Sequence, residues 1–146
     1  MTLYSKKFDV HGMDFIHAGK ASVQIKNILK EVGVDQDVIR RAAIATYEAE
    51  MNVVMYGQGG QMILELDGEK VCIRAEDQGP GIPDIELALE EGFSTATEEM
   101  REMGFGAGMG LPNIKRNADE LNIDSAVGQG TRIRMTFLPA RQEQTS

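Results

Sequence analysis

Polar and apolar residues alternate from Tyr4 to Val10, with Tyr4, Phe8 and Val10 on one parity and Ser5, Lys7 and Asp9 on the other. This predicts a short strand at the edge of a sheet. The period then lengthens: Val23, Ile25, Ile28, Leu29 and Val32 make the apolar stripe of a helix that Asp14 is placed to cap and Gly33 to end. Asp35 or Asp37 can cap a second helix reaching Gly57, in which Val38, Ala42, Ala45, Ala49, Asn52 or Val53, and Tyr56 recur at helical spacing. A helix this apolar is expected at the centre of the molecule.

Two-residue alternation returns over 62–67, where Met62, Leu64 and Leu66 share a face, and Asp67-Gly68 is a hairpin turn. The return strand over 70–77 carries Val71, Ile73 and Ala75 inward and Cys72, Arg74 and Glu76 outward, so Asp77 falls on the inward parity. A turn in QGPGIPD follows, then a short helix over 85–91, a glycine-rich loop, and a helix from Pro112 toward Leu121. A strand over 123–127, a turn at 128–130 and a last strand over 131–138 complete the pattern, with Thr131 on the side of Ile133, Met135 and Phe137. Residues 1–139 read as one domain, with a polar tail over 140–146 that is expected to add no element. Antiparallel hairpins with helices gathered apart predict an α+β fold in which helices cover one sheet face.

A chain of 146 residues suffices for one sizeable core. Lys and Arg number 15 against 23 Asp and Glu, a formal net charge of −8, so neither nucleic acid nor an anionic membrane is the expected partner. The single cysteine, Cys72, leaves no internal disulfide framework and reads as a small core residue in a reducing compartment. No apolar run has signal-peptide or membrane-span length, and a cytoplasmic location is expected. His11 and His17 lack ligand-spaced partners, which argues against a histidine or cysteine metal cluster.

Chemistry concentrates in three places. Glu48 and Asn52, four apart on the apolar second helix, project from one face while Glu50 points elsewhere. They read either as a capping or solvent-facing pair, or as a general base beside a Mg²⁺ ligand, since Mg²⁺ takes only one or two protein oxygens plus phosphates and water. Asp77, with Gly79 and Gly81 in D-Q-G-P-G, is either part of a plain glycine turn or a carboxylate held inward to accept a hydrogen bond from a ligand's exocyclic amine, because carboxylates are seldom buried unpaired. The hydroxyl of Thr131 is placed to hold Asp77 or the same ligand. Gly104, Gly106, Gly108 and Gly110 fall at every second position before Pro112, which suits the first turn of a helix. Such a loop lets backbone approach a ligand, and the free N–H groups of that first turn favour an anion such as phosphate. A simple hinge is the alternative.

Taken in order, Glu48 with Asn52, Asp77 to Gly81, Gly104 to Gly110, and Gly130-Thr131 resemble the four signatures of the GHKL ATPases, the superfamily of gyrase-type topoisomerases, large heat-shock chaperones, mismatch-repair ATPases and histidine kinases. They span most of the chain. The resemblance implies a two-layer α/β sandwich of the Bergerat type, with a mixed, mostly antiparallel sheet and helices on one face, binding ATP with Mg²⁺. By position it implies that Asp77 contacts the adenine amino group, Asn52 the metal, and Glu48 acts as base, while Gly106, Gly108 and Gly110 wrap the phosphates. Gly79, Gly81, Ile82, Gly104, Met109, Leu111 and Thr131 complete the implied nucleotide contacts, and Arg101 is a candidate for reaching the terminal phosphate. The stretch 92–116, with its G-L-P-x-x-K-R run, is similar to small stand-alone members, bacterial anti-sigma factors and the switch-protein serine kinases of partner switching, and more closely to the kinases. The implied activity is transfer of the ATP γ-phosphate to a serine or threonine of a small antagonist, an anti-anti-sigma-like protein. The alternatives are an anti-sigma factor that sequesters a sigma factor and an ATP-binding accessory domain of a metabolic complex. An edge position for the first strand also predicts pairing with a second copy into a homodimer.

Overall fold

The computed structural model describes residues 4–56, 59–68, 70–82, 84–90 and 110–139. Strand β1 (Tyr4–Val10) leads into helices α1 (Lys20–Glu31) and α2 (Gln36–Tyr56) and then the hairpin of β2 (Gly60–Asp67) and β3 (Lys70–Asp77). A one-turn α3 (Ile85–Ala88), α4 (Gly110–Asn117) and the hairpin of β4 (Glu120–Ser125) and β5 (Thr131–Phe137) follow. The five strands form one sheet in the order β1-β2-β3-β5-β4. Every described pairing is antiparallel. The expectation of a mixed sheet is therefore corrected: the two helices between β1 and β2 return the chain in the opposite sense, and hairpins join two of the other pairs. β1 is an edge, as its terminal position predicts. The expected tail over 140–146 lies outside the described residues.

One core fills the space between the sheet and the helices, built from Phe8, Met62, Leu64, Ile73, Ile133, Met135 and Phe137 on the strands and Ile25, Leu29, Val38, Val53 and Ile114 on the helices. Each such side chain taken out of water contributes about 1.5–3 kcal/mol. The centre is α2, which touches β1, β3, β5, α1 and α4. Ala42, Ala45 and Ala49 are fully buried along it, and their small size lets the helix lie close to its neighbours. Cys72 is buried too, but on the sheet face away from the helices, beside Arg134. Among the described residues no helix is long and apolar enough to cross a membrane.

Several boundaries depart from the sequence reading. Helix α1 starts at Lys20, not after Asp14, with a left-handed Gly19 at its cap and no capping side chain of its own. Asp14 instead bonds the backbone and ring of His17, and these bonds hold its carboxyl below the usual range. Because the helix starts later, its buried stripe is Ala21, Ser22, Ile25 and Leu29, leaving Val23 56% and Val32 55% exposed. The open choice at the start of α2 falls to Asp35, which accepts from the N–H groups of Asp37 and Val38 at 3.1 and 3.4 Å. Helix α4 ends at Asn117 and Leu121 lies in a strand, because Asp119 N–H bonds Thr136 O at 2.9 Å and starts the β4–β5 ladder early. The last turn accordingly opens after Ser125, and Val127 is exposed. The short helix expected over 85–91 runs only from Ile85 to Ala88.

Candidate functional site

The strand register brings the first part of the site together. Asp77, last residue of β3, lies between Gly60 of β2 and Thr131 of β5. Its side chain is on the parity of Val71, Ile73 and Ala75, the face that the helices cover. Desolvation pushes its carboxyl above the ordinary carboxylate value, while the backbone N–H groups of Gly79 and Thr131 pull the other way. Gly79 N–H donates to Oδ1 at 2.8 Å. Among the described residues no Lys or Arg pairs with it. A half-buried carboxylate with no cation is chemically suited to a ligand's N–H.

The loop after Asp77 is held by the β4–β5 turn. Ile82 N–H donates to Ser125 Oγ at 2.7 Å, Ser125 Oγ donates to Gly130 O at 3.0 Å, and the same oxygen lies 2.9 Å from Thr131 Oγ1. Gly128 N–H bonds Pro80 O at 2.7 Å. Thr131 thus meets Asp77 through its backbone, and its hydroxyl is engaged with Ser125. Gly81 and Gly130 have φ of +85° and +77°, and a Cβ on either would collide with a backbone carbonyl, that of Ala126 or of Asp77. Only glycine fits both demands. Ile82 packs, half-buried, against the core.

The second part lies where α2 meets α4. Glu48 and Asn52 both approach the first residue of α4: a Cβ on Gly110 would sit 3.5 Å from Asn52 Oδ1 and 3.7 Å from Glu48 Oε1. Glu50, between them in sequence, turns the other way and is 2% exposed. It accepts from the N–H groups of Gly19, Ala21 and Ser22 at 3.0, 3.3 and 2.8 Å, supplying the cap that α1 lacks. Pro112 occupies the first turn of α4, as expected, and Leu111 is buried beneath it. The two parts adjoin through Val53: a Cβ on Gly60 would meet Val53 Cγ1 at 2.8 Å and Asp77 Cα at 3.2 Å. Glu48, Asn52, Asp77, Gly79, Gly81, Ile82, Gly110, Leu111 and Thr131 are therefore distributed around one end of α2 and the adjoining strand ends. Gly104, Gly106, Gly108, Met109 and Arg101 lie outside the described residues. A separate cavity of about 440 Å³ opens between β1 and the start of α1, beside His11, His17, Lys20 and Glu50, and none of the expected site residues lines it.

Two participants escape sequence reading. Ser125 gives only an inward parity with Ile123, and Asn113 only its place one turn beyond Gly110 on α4. Asn113 Nδ2 donates to Glu48 Oε2 at 2.9 Å.

No group of three or more His, Cys, Asp or Glu among the described residues is arranged to hold a metal. A magnesium ion carried by a polyphosphate needs less: one amide oxygen such as Asn52 Oδ1, beside a glycine that leaves the approach open, fits its preference for hard oxygen donors.

Residues 14–137 match the histidine kinase-like ATPase domain family. The serine/threonine-protein kinase RsbT of Bacillus subtilis (strain 168) is 38% identical over 112 residues, which cover 74% of this chain and 78% of that protein. The anti-sigma F factor of Thermoanaerobacter sp. (strain X514) is 36% identical over 97 residues, 63% of this chain and 64% of its own length. The crystal structure of the RsbU and RsbW domains of a Mycobacterium tuberculosis protein superposes with a TM-score of 0.59 at 20% identity, covering 93% of this chain and 34% of that one, a likeness of fold.

Proposed function

The chain belongs to the histidine kinase-like ATPase family, and on that premise we propose that it is an ATP-dependent serine/threonine kinase of a partner-switching pathway, transferring the γ-phosphate to a small antagonist protein. The observation that carries this reading is the approach of Glu48 and Asn52 to the glycine that opens α4, on the helix whose next residue, Val53, packs at Gly60 beside the strand end bearing Asp77. In this reading Asp77 accepts from the adenine amine, with no Lys or Arg among the described residues competing for it. Gly79, Gly81 and Ile82 form the wall that Ser125 holds in place. The N–H groups opening α4 face the phosphates, where their partial positive charge is most useful. Asn52 holds Mg²⁺, which when bound neutralises phosphate charge. Glu48 accepts the proton of the incoming hydroxyl as its oxygen bonds to the γ-phosphorus and the bond from that phosphorus to the β–γ bridging oxygen breaks, releasing ADP. Positioning and charge neutralisation carry most of such a reaction.

The test uses γ-labelled ATP and small antagonist domains from the same cell. Label appears on a serine or threonine of one of them, and Glu48→Ala retains nucleotide binding while losing transfer by roughly 10²–10⁴-fold, the usual contribution of a general base. Unchanged transfer by that variant removes the base assignment. A second reading, a nucleotide-gated anti-sigma factor, is supported by the relatives that bear that name. Retention of a sigma subunit with no labelling of any antagonist decides for it. The free edge of β1 supports pairing with a second copy in either case.

A further inference from the structure

We infer that Asn113 is a positioning residue that aims the Glu48 carboxylate, an inference that rests on Glu48 being the base. Asn113 and Gly110 lie three apart on α4 and share the face turned to α2. A carboxylate only accepts, so the amide N–H of Asn113 is the group that faces it, and the donor–acceptor distance to Glu48 Oε2 is 2.9 Å. The other carboxylate oxygen, Oε1, is the one near Gly110, which Asn52 Oδ1 also approaches. The two oxygens thus divide the work: Oε2 is tethered, and Oε1 is turned toward the glycine that opens α4. Without the tether the Glu48 side chain regains rotamers that carry Oε1 away from that spot.

Asn113 is itself held firmly. Its carbonyl accepts from Asn117 Nδ2 at 2.8 Å, and the flanking Pro112 and Ile114 are buried. Alignment of the base is therefore tied to the seating of α4 on α2. Because α4 is the helix that follows the glycine-rich stretch, this contact links the base to the segment expected to enclose the phosphates.

Phosphoryl transfer to the antagonist domain that the wild-type protein labels is followed as a function of pH for wild type, Asn113→Ala, Asn113→Asp and Glu48→Ala. Alanine is a better helix former than asparagine, so Asn113→Ala keeps α4. Its expected effect is a kcat lower by about ten-fold at unchanged KM for ATP, part of what removal of a base costs. In Asn113→Asp two carboxylates lie within hydrogen-bond reach and share a proton, which moves the acidic limb of the rate profile up by about one pH unit or more. A wild-type kcat in Asn113→Ala with an unmoved limb in Asn113→Asp, while Glu48→Ala abolishes transfer, overturns the positioning role alone. Wild-type transfer by Glu48→Ala overturns the base assignment and this inference with it.

Discussion

The carboxyl of Asp77 is partly desolvated at the end of β3. Burial raises its carboxyl above the ordinary carboxylate value, so the folded chain binds that proton more tightly than the unfolded chain does. The sign follows: stability associated with Asp77 is greatest below the unfolded value and falls as pH rises through the folded one. Asp77→Asn removes the charge that is poorly solvated, and the unliganded variant is expected to melt above wild type at pH 7, with the difference closing as pH falls below the unfolded carboxylate value. Adenine nucleotide affinity should drop by about 10- to 100-fold, the usual worth of a hydrogen bond to a charged group. Scanning calorimetry across pH with nucleotide titration checks both halves, and an unstabilised variant that still binds ATP tightly refutes them. Alternation along β3 made the inward aspect of Asp77 legible. Asn113 was not legible, because its partner is 65 positions away and nothing in a local pattern encodes that meeting.

Helix α1 shows how an element acquires its boundary from outside itself. Asp14 has the right chemistry for a cap, but five residues separate it from the first helical turn, and Glu50 on α2 provides the acceptor instead. Glu50→Ala strips three backbone N–H groups of their partner at a buried helix end, and a loss of about 2–3 kcal/mol is expected. Asp14→Ala, at an exposed pair, should stay within about 0.5 kcal/mol. Urea unfolding separates the two, and equal effects would return the capping role to Asp14. Hydrogen exchange in α1 should quicken only in the Glu50 variant. The strands were better predicted because period-two alternation and turn dipeptides are local: the β2–β3 hairpin turns at Asp67-Gly68 as expected, with Gly68 at φ 59°.

At the scale of the whole molecule, Arg41 near the start of α2 joins parts of the chain that are far apart in sequence. Its guanidinium donates to Asp37, Asn117 O, Asp119 and Leu138 O at 2.9, 3.1, 2.9 and 2.8 Å, and Asp119 in turn accepts from Leu138 N–H at 2.7 Å. The start of α2, the end of α4 and the end of β5 are thereby tied at one point. Arg41→Met keeps most of the packing and removes the fork; it should lower unfolding stability by about 1.5–3 kcal/mol with nucleotide binding retained. A urea midpoint equal to that of wild type would show the tie to be dispensable. The sequence by itself determined the fold class, the central helix, both hairpins and the order of the motifs, since each rests on periodicity or turn chemistry within a few residues. It also determined which acidic residue on β3 faces inward. Only the tertiary structure decided that the sheet is antiparallel throughout its described pairings, that Glu50 caps α1, that Ser125 holds the glycine loop, and that Asn113 meets Glu48. Those contacts depend on how α2 is seated between the sheet and α4, and the seating is set by the summed packing of many small and apolar side chains, which no single stretch of chain specifies.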